Sequence, residues 1–147
     1  MNIQVEVKDI VLKSIETVFD AIISPDKITK YFPSHSSGEM LQGNKIIWKF
    51  EDVGVELYID VLKVEKNNYL SFEWSASGTH TTVEINLDAK DENQTIIEIM
   101  ESSFEMNAAG VKKALQQTQG WTDFICSLKA YLYTGINLRN GRSANTK

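Results

Sequence analysis

The sequence has little of several features that would assign a function class at once. It contains a single cysteine, Cys126, in 147 residues, so no disulfide can form within the chain, and we expect a reducing, cytoplasmic compartment. No run of 18 apolar residues occurs, which argues against insertion into a membrane. The first residues alternate in polarity and carry too many charges for the apolar core of a signal peptide.

Cation clusters, phosphate-binding loops and metal-ligand spacings are missing as well. The net charge is -5 and the 15 lysines and arginines are scattered, so we do not expect a nucleic-acid partner. The eight glycines form neither G-x-G-x-x-G nor a P-loop. His35, His80 and Cys126 lack the ordered spacing of metal ligands, and no serine sits in a G-x-S-x-G elbow. We therefore expect no metal, no cofactor and no nucleophilic catalytic residue.

What the chain does contain indicates one ordinary globular domain. Hydrophobic residues make up 42% and charged residues 24%, with two prolines, and this length suits a single core. We place the domain at residues 1–138. The last segment, 139–147, has no apolar partner to bury, so we expect it to be a disordered tail.

The first third of the chain changes its hydrophobic period twice. Ile3, Val5 and Val7 alternate with polar residues, which predicts a strand. From residue 15 to residue 23 the apolar residues follow helical spacing, and Ser24, Pro25 and the acid after them mark the start of a second short helix, ending near residue 33. The chain therefore begins with one strand and two short helices.

The middle of the chain alternates with a period of two. After a polar loop at 33–45, which can include a short edge strand, five runs bury every second residue and are separated by short turn sequences. These runs lie at 46–50, 55–61, 70–76, 83–87 and 97–99. A sheet with one apolar face against the core and one polar face in contact with solvent is typically antiparallel.

The last predicted element is a helix from Ala108 to about Thr134, with Gly135 as its C-cap. Its polar side carries Ser127, and Gly120 leaves a notch on one flank. The sheet needs a cover, and this helix is the only element large enough, which predicts an α+β domain. The apolar stripe at helical spacing comprises Val111, Ala114, Thr118, Trp121, Ile125, Leu128 and Leu132.

Four segments in this order resemble one known family. They are "VLKSIETVFDAIISPDKITKYF", "LQGNKIIWKF", "YLSFEWSASGTHTTVEINL" and "GWTDFICSLKAYL". Together they resemble the activator of heat-shock-protein-90 ATPase homologue-like family, within the START-like (SRPBCC) superfamily. The resemblance implies a helix-grip fold, in which a curved antiparallel sheet wraps around the C-terminal helix and leaves a cavity for a hydrophobic ligand.

The candidate ligand-binding residues follow from the predicted inner faces. Aromatic and aliphatic side chains would form the walls of the cavity, although packing in the core alone is the alternative for each. The carboxylate of Glu101 shares the inward face of its strand and could orient a ligand or act as acid or base; alternatively it reaches solvent or backbone amides at the helix start. The candidates are Trp48, Phe50, Phe72, Trp74, Trp121, Ile125 and Leu128 for the walls, Thr81 and Glu101 for a polar end, and Tyr31 and Phe32, with the loop to Glu39, for the entrance.

Three functions are compatible with these residues. The first is binding of a small hydrophobic or amphipathic molecule, such as a lipid, without catalysis. The second, implied only by the family resemblance, is a co-chaperone module that binds a chaperone and stimulates its ATPase. The third is a cyclase-like or hydrolase-like enzyme that uses Glu101. The sequence does not choose an oligomeric state.

Overall fold

The chain folds into one antiparallel sheet covered on one face by helices. A computed structural model describes residues 1–142. The predicted α+β architecture is confirmed: a curved seven-stranded sheet, two short helices after the first strand, and a long C-terminal helix. The elements are β1 (Asn2–Val11), α1 (Ile15–Ile23), α2 (Pro25–Ile28), β2 (His35–Ser36), β3 (Lys45–Phe50), β4 (Val55–Glu65), β5 (Tyr69–Trp74), β6 (Thr81–Asp91), β7 (Gln94–Glu105) and α3 (Ala108–Thr134).

The strand order explains how the two ends of the chain meet. The order is β1-β7-β6-β5-β4-β3-β2, so strands from β3 to β7 pair with their chain neighbours, while β1 pairs with β7. Every pair is antiparallel. The two-residue β2 is the edge strand inside the predicted polar loop. Because β1 closes against β7, the helix that follows β7 returns directly over both strands.

The helix α3 begins and ends as the sequence predicts. The side chain of Asn107 accepts a hydrogen bond from the Gly110 amide, which satisfies one of the free N–H groups of the first turn. Gly135 ends the helix with φ +75°, a conformation that glycine adopts without strain. Between these caps α3 lies across β1 and β7. No helix in residues 1–142 is long and apolar enough to cross a membrane.

The buried face of α3 is wider than the predicted stripe. Ser127, expected on the polar side, is buried, and so is Phe124. Phe32 lies 4.8 Å from Phe124 between ring centroids, so the segment after α2 covers a flank of α3 that the sheet does not reach. Phe32 and its neighbours do not extend to the first turn of α3, where Val111, expected to be buried, is 40% exposed. Which residues of α3 are buried therefore depends on the segments that pack against each part of the helix, and not on helical periodicity alone.

The second short helix, α2, is shorter than predicted. It ends at Ile28 and turns follow, whereas the sequence predicted an end near residue 33. Pro25 has no amide hydrogen, so the carbonyl of Ala21 cannot receive the usual helical bond from the fourth residue on. The hydroxyl of Tyr31 donates to that carbonyl instead, at 2.9 Å. Tyr31 is fully buried, and this desolvation raises the pKa of its phenol well above the usual value.

Replacing Tyr31 should change how stability depends on alkaline pH. A buried phenol resists ionisation, whereas the unfolded chain ionises near pH 10, so its contribution is complete below about pH 10 and is lost as the pH rises. We expect the free energy of unfolding to fall above pH 10 by up to about 1.4 kcal/mol per pH unit from this group. Urea unfolding between pH 8 and 11 should show a shallower fall in Tyr31→Phe. Tyr58→Phe, at a site 71% exposed, is the control; equal slopes in all three proteins would contradict the prediction.

The segment after α3 folds back onto the domain. Residues 138–141 form a turn, and the side chain of Arg139 is only 15% exposed because it pairs with Asp52. Within the segment for which we expected disorder, residues 143–147 lie outside the described residues. The domain boundary at 138 stays a prediction.

Candidate functional site

A cavity opens between the β3–β4 hairpin, the middle of α3 and the turn after α3. Its volume is about 240 Å³. Most of its lining is apolar, and three of its side chains are polar or charged. The lining residues are Phe32, Phe50, Val53, Val55, Leu57, Trp74, Ala76, Gln117, Gly120, Trp121, Asp123 and Arg139. Val55, predicted to be buried, is 42% exposed, because it lines this opening and not the packed core.

Four aromatic rings supply the walls of the cavity. Phe32 stands between two of them, with its ring centroid 5.1 Å from Phe50 and 6.0 Å from Trp121. The indoles of Trp74 and Trp121 lie 5.3 Å apart. Ring pairs at these distances attract one another beyond simple burial of area. The walls are therefore held together before any ligand enters.

The carboxylate of Glu101 lies behind the two indoles and is completely buried. One of its oxygens accepts hydrogen bonds from Trp74 Nε1 at 3.0 Å and from the Thr81 hydroxyl at 2.6 Å. The other accepts from Trp121 Nε1 at 2.8 Å and Gln117 Nε2 at 2.9 Å. A carboxylate has room for about four such bonds, and all four donors are uncharged.

This arrangement assigns Glu101 the role of holding the aromatic walls. Strand β7 supplies the carboxylate, β5 supplies Trp74, and α3 supplies Trp121, so one side chain joins the sheet to the helix. Glu101 does not itself line the cavity. Acid or base chemistry would require Glu101 to reach a bound molecule, and in this structure hydrogen bonds from four side chains engage both of its oxygens.

The charged groups at the mouth pair with one another. The Arg139 guanidinium lies 2.7 Å from a carboxylate oxygen of Asp52 and 3.9 Å from one of Asp123. It also stacks over the ring of Phe50, 5.2 Å from its centroid. Arg142 forms two hydrogen bonds with Asp123, at 3.0 and 2.9 Å. This ion-pair network ties the turn after α3 to the β3–β4 hairpin across the opening.

The structure brings four of the eleven candidate residues to the cavity and places the others around it. Phe32, Phe50, Trp74 and Trp121 line it. Thr81 and Glu101 lie in the hydrogen-bond network behind the indoles. The remaining five are buried in the adjoining core, namely Tyr31, Trp48, Phe72, Ile125 and Leu128. The loop from Ser34 to Glu39, expected at the entrance, does not line the cavity.

Sequence reasoning missed the three polar residues of the lining, Gln117, Asp123 and Arg139, and also Asp52, the partner of Arg139. Gln117 lies one helical turn before Trp121, a spacing that could have placed it beside the indole. Arg139 lies in the segment for which we expected disorder, and Asp52 lies in a turn, so no periodic signal marks either one. Gly120, predicted to lie on a flank of α3, lines the cavity, and no atom lies within 4 Å of a β-carbon placed there.

The histidines lie away from this cavity. His35 is exposed on the edge strand β2, and His80 is exposed and contacts Glu73 beside the turn between β5 and β6. Across the described part of the chain, no three histidine, cysteine, aspartate or glutamate side chains are grouped so that they could hold a metal ion.

Comparison with known proteins gives a family model and several solved structures. The model described as activator of Hsp90 ATPase homolog 1-like protein matches residues 13–133. A protein of Staphylococcus saprophyticus is 30% identical, with 93% of this chain and 96% of that chain covered and a TM-score of 0.81. A protein of the dynemicin biosynthetic locus is 28% identical, with 90% and 48% covered and a TM-score of 0.80.

A more distant structure shares the fold. The Aha1 dimer of Colwellia psychrerythraea is 22% identical, with 90% of this chain and 98% of that chain covered and a TM-score of 0.76. A search of curated proteins found no match.

Proposed function

The chain belongs to the activator of Hsp90 ATPase homolog 1-like family, and on that premise we propose that it binds a small aromatic molecule in the cavity between its sheet and its C-terminal helix. The ligand would lie against Trp74 and Trp121, with Phe32 and Phe50 on its other sides.

A cytoplasmic location is part of the same proposal. The exposed, free thiol of Cys126 suits a reducing compartment such as the cytoplasm.

The main support is the buried Glu101 carboxylate that fixes both indoles. Burying a charge costs free energy unless hydrogen bonds satisfy it, and a core could be packed with apolar residues instead. Here the four bonds orient Trp74 and Trp121 at one side of an open, apolar cavity. A site whose walls are ordered in advance loses less entropy when a ligand binds.

The size of the cavity limits the ligand. Pockets for drug-sized molecules commonly measure about 300–1,000 Å³, and this one measures about 240 Å³. A molecule of one or two fused rings suits that volume, whereas a sterol or a long acyl chain would extend out through the mouth. Naphthalene is therefore a suitable minimal probe.

Titration with naphthalene, followed by NMR, tests the proposal. The three tryptophans each give an indole N–H signal, and two of these residues, Trp74 and Trp121, line the cavity while Trp48 does not. The signals of Trp74 and Trp121 should shift with saturation, and that of Trp48 should shift less. The absence of any saturable shift up to the solubility limit of naphthalene would refute the proposal.

Filling the notch at Gly120 should remove binding without unfolding the protein. A β-carbon placed at Gly120 meets no atom within 4 Å, and replacing a helical glycine favours the helix by up to about 1 kcal/mol. We expect Gly120→Leu to weaken naphthalene binding at least tenfold and to be as stable as the wild type or more so. Gln119→Leu places the same side chain on the preceding residue, which is exposed and lies outside the cavity, and it is the control. Unchanged affinity in Gly120→Leu would argue that naphthalene binds elsewhere.

The family description supports a second function, stimulation of a chaperone ATPase. This function needs a surface that contacts the chaperone, and the cavity itself gives no reason for it. The two functions can be separated by measuring the ATPase rate of an Hsp90-type chaperone with and without this protein. Stimulation that persists in Gly120→Leu would belong to a surface other than the cavity.

A further inference from the structure

Both indole donors on the inner side of the cavity are fully engaged, whereas the NH₂ group of Gln117 uses one of its two N–H groups. Trp74 Nε1, Trp121 Nε1 and Gln117 Nε2 all donate to the carboxylate of Glu101. An indole has a single N–H and no acceptor, so neither tryptophan can donate to a ligand without releasing Glu101. The third tryptophan, Trp48, has a buried Nε1 without a partner among the described residues, but it does not line the cavity.

One acceptor on the same side remains available. The amide of Gln117 is oriented by Glu101, because a carboxylate accepts hydrogen bonds and so selects the NH₂ group. Its carbonyl oxygen, Oε1, has no partner within residues 1–142. Nor is that oxygen among the buried unpartnered atoms, so it is accessible. Gln117 therefore presents an accessible acceptor beside the two indoles.

The charges around the cavity disfavour an anion. The guanidinium of Arg139 already faces the carboxylates of Asp52 and Asp123. Glu101 lies directly behind the indoles and has no cationic partner in the described part of the chain. In a site of low dielectric, a like charge this close repels strongly. A ligand carboxylate would lie close to the charge of Glu101, and the cation of the lining, Arg139, is already paired with Asp52 and Asp123.

We infer that the ligand of this cavity is an aromatic hydrogen-bond donor without negative charge, such as a phenol or an aromatic amine, whose O–H or N–H group donates to Oε1 of Gln117. This inference rests on the proposed function. The rings would fill the space between the indoles and the phenylalanines, and the donor would bond to the open acceptor of Gln117 beside the indoles.

Three naphthalene derivatives of similar size test the inference at pH 7. 2-Naphthol is a neutral donor, since phenols ionise near pH 10; 2-methoxynaphthalene can only accept, and 2-naphthoate is an anion. Measured by the same NMR titration, 2-naphthol should bind at least about fivefold more tightly than 2-methoxynaphthalene, as expected for one hydrogen bond, and more tightly still than 2-naphthoate. Equal affinities, or preference for either of the other two, would overturn the inference while binding itself still supported the proposed function. If none of the three binds, both fail.

A substitution at Gln117 assigns the preference to its oxygen. Gln117→Met keeps the length of the side chain and removes both the acceptor and the N–H bond to Glu101. Because both compounds meet the same altered wall, 2-naphthol should lose its advantage over 2-methoxynaphthalene. Gln116→Met makes the same change at the neighbouring exposed residue, outside the cavity, and should keep the advantage. A preference that survives in Gln117→Met would show that another group accepts the bond. The ratio of two affinities within one variant does not depend on any small loss of stability.

Discussion

Gly110→Ala is expected to lower the free energy of unfolding by about 3 kcal/mol, while Gly120→Ala, in the same helix, leaves it unchanged or raises it by up to about 1 kcal/mol. A β-carbon at Gly110 would lie 1.8 Å from the backbone oxygen of Glu105 and 2.7 Å from its carbonyl carbon. Backbone atoms cannot rotate away as the end of a side chain can. The start of α3 would have to move off the end of β7, and the cap at Asn107 would move with it.

Urea unfolding of the two variants and the wild type measures this difference directly. Alanine is the better helix former at both positions, so intrinsic propensity predicts that both variants gain stability. The close approach to Glu105 reverses the sign only at Gly110. If both alanine variants were equally stable, the tight packing of the first turn of α3 against β7 would be wrong.

Periodicity predicts most of this fold because each element meets a uniform environment. Each strand from β3 to β7 buries most of the side chains on one face, so alternation along the chain maps onto burial across the sheet. The same reasoning places the start, the end and the capping glycine of α3 correctly. Where the environment changes along an element the period is a poorer guide, as at Ser127, which is buried on the predicted polar side of α3.

The candidate site is only partly readable from the sequence. Alternation places the aromatic side chains of Phe50 and Trp74 on the inner face, and both line the cavity. Neither the close approach at Gly110 nor the pairing of Arg139 with Asp52 has a sequence signal, because both join segments that no local pattern relates. Alternation likewise places Glu101 inward, but the convergence of four donors on it depends on how far β5, β6 and α3 are displaced along one another.

Glu101→Gln is expected to lower the free energy of unfolding by about 3 kcal/mol. The carboxylate accepts four hydrogen bonds, two at each oxygen. Glutamine replaces one of these oxygens by an NH₂ group, which is itself a donor, so two of the four donors would face it without an acceptor. Each buried donor left without a partner costs about 1–3 kcal/mol, although removing a buried charge offsets part of that loss.

The control for this variant is Glu98→Gln, on the same strand but half-exposed, where a change within about 0.5 kcal/mol is expected. Urea unfolding measures both variants, and NMR reports where the change occurs. The indole N–H signals of Trp74 and Trp121 should move in Glu101→Gln, because both donate to the altered group, whereas that of Trp48 has no bond to lose. If Glu101→Gln were as stable as the wild type and the indole signals of Trp74 and Trp121 did not move, the charge would not be what holds the indoles. A stable fold with displaced indoles and weaker naphthalene binding would instead show that Glu101 positions the cavity walls, since it does not contact the ligand itself.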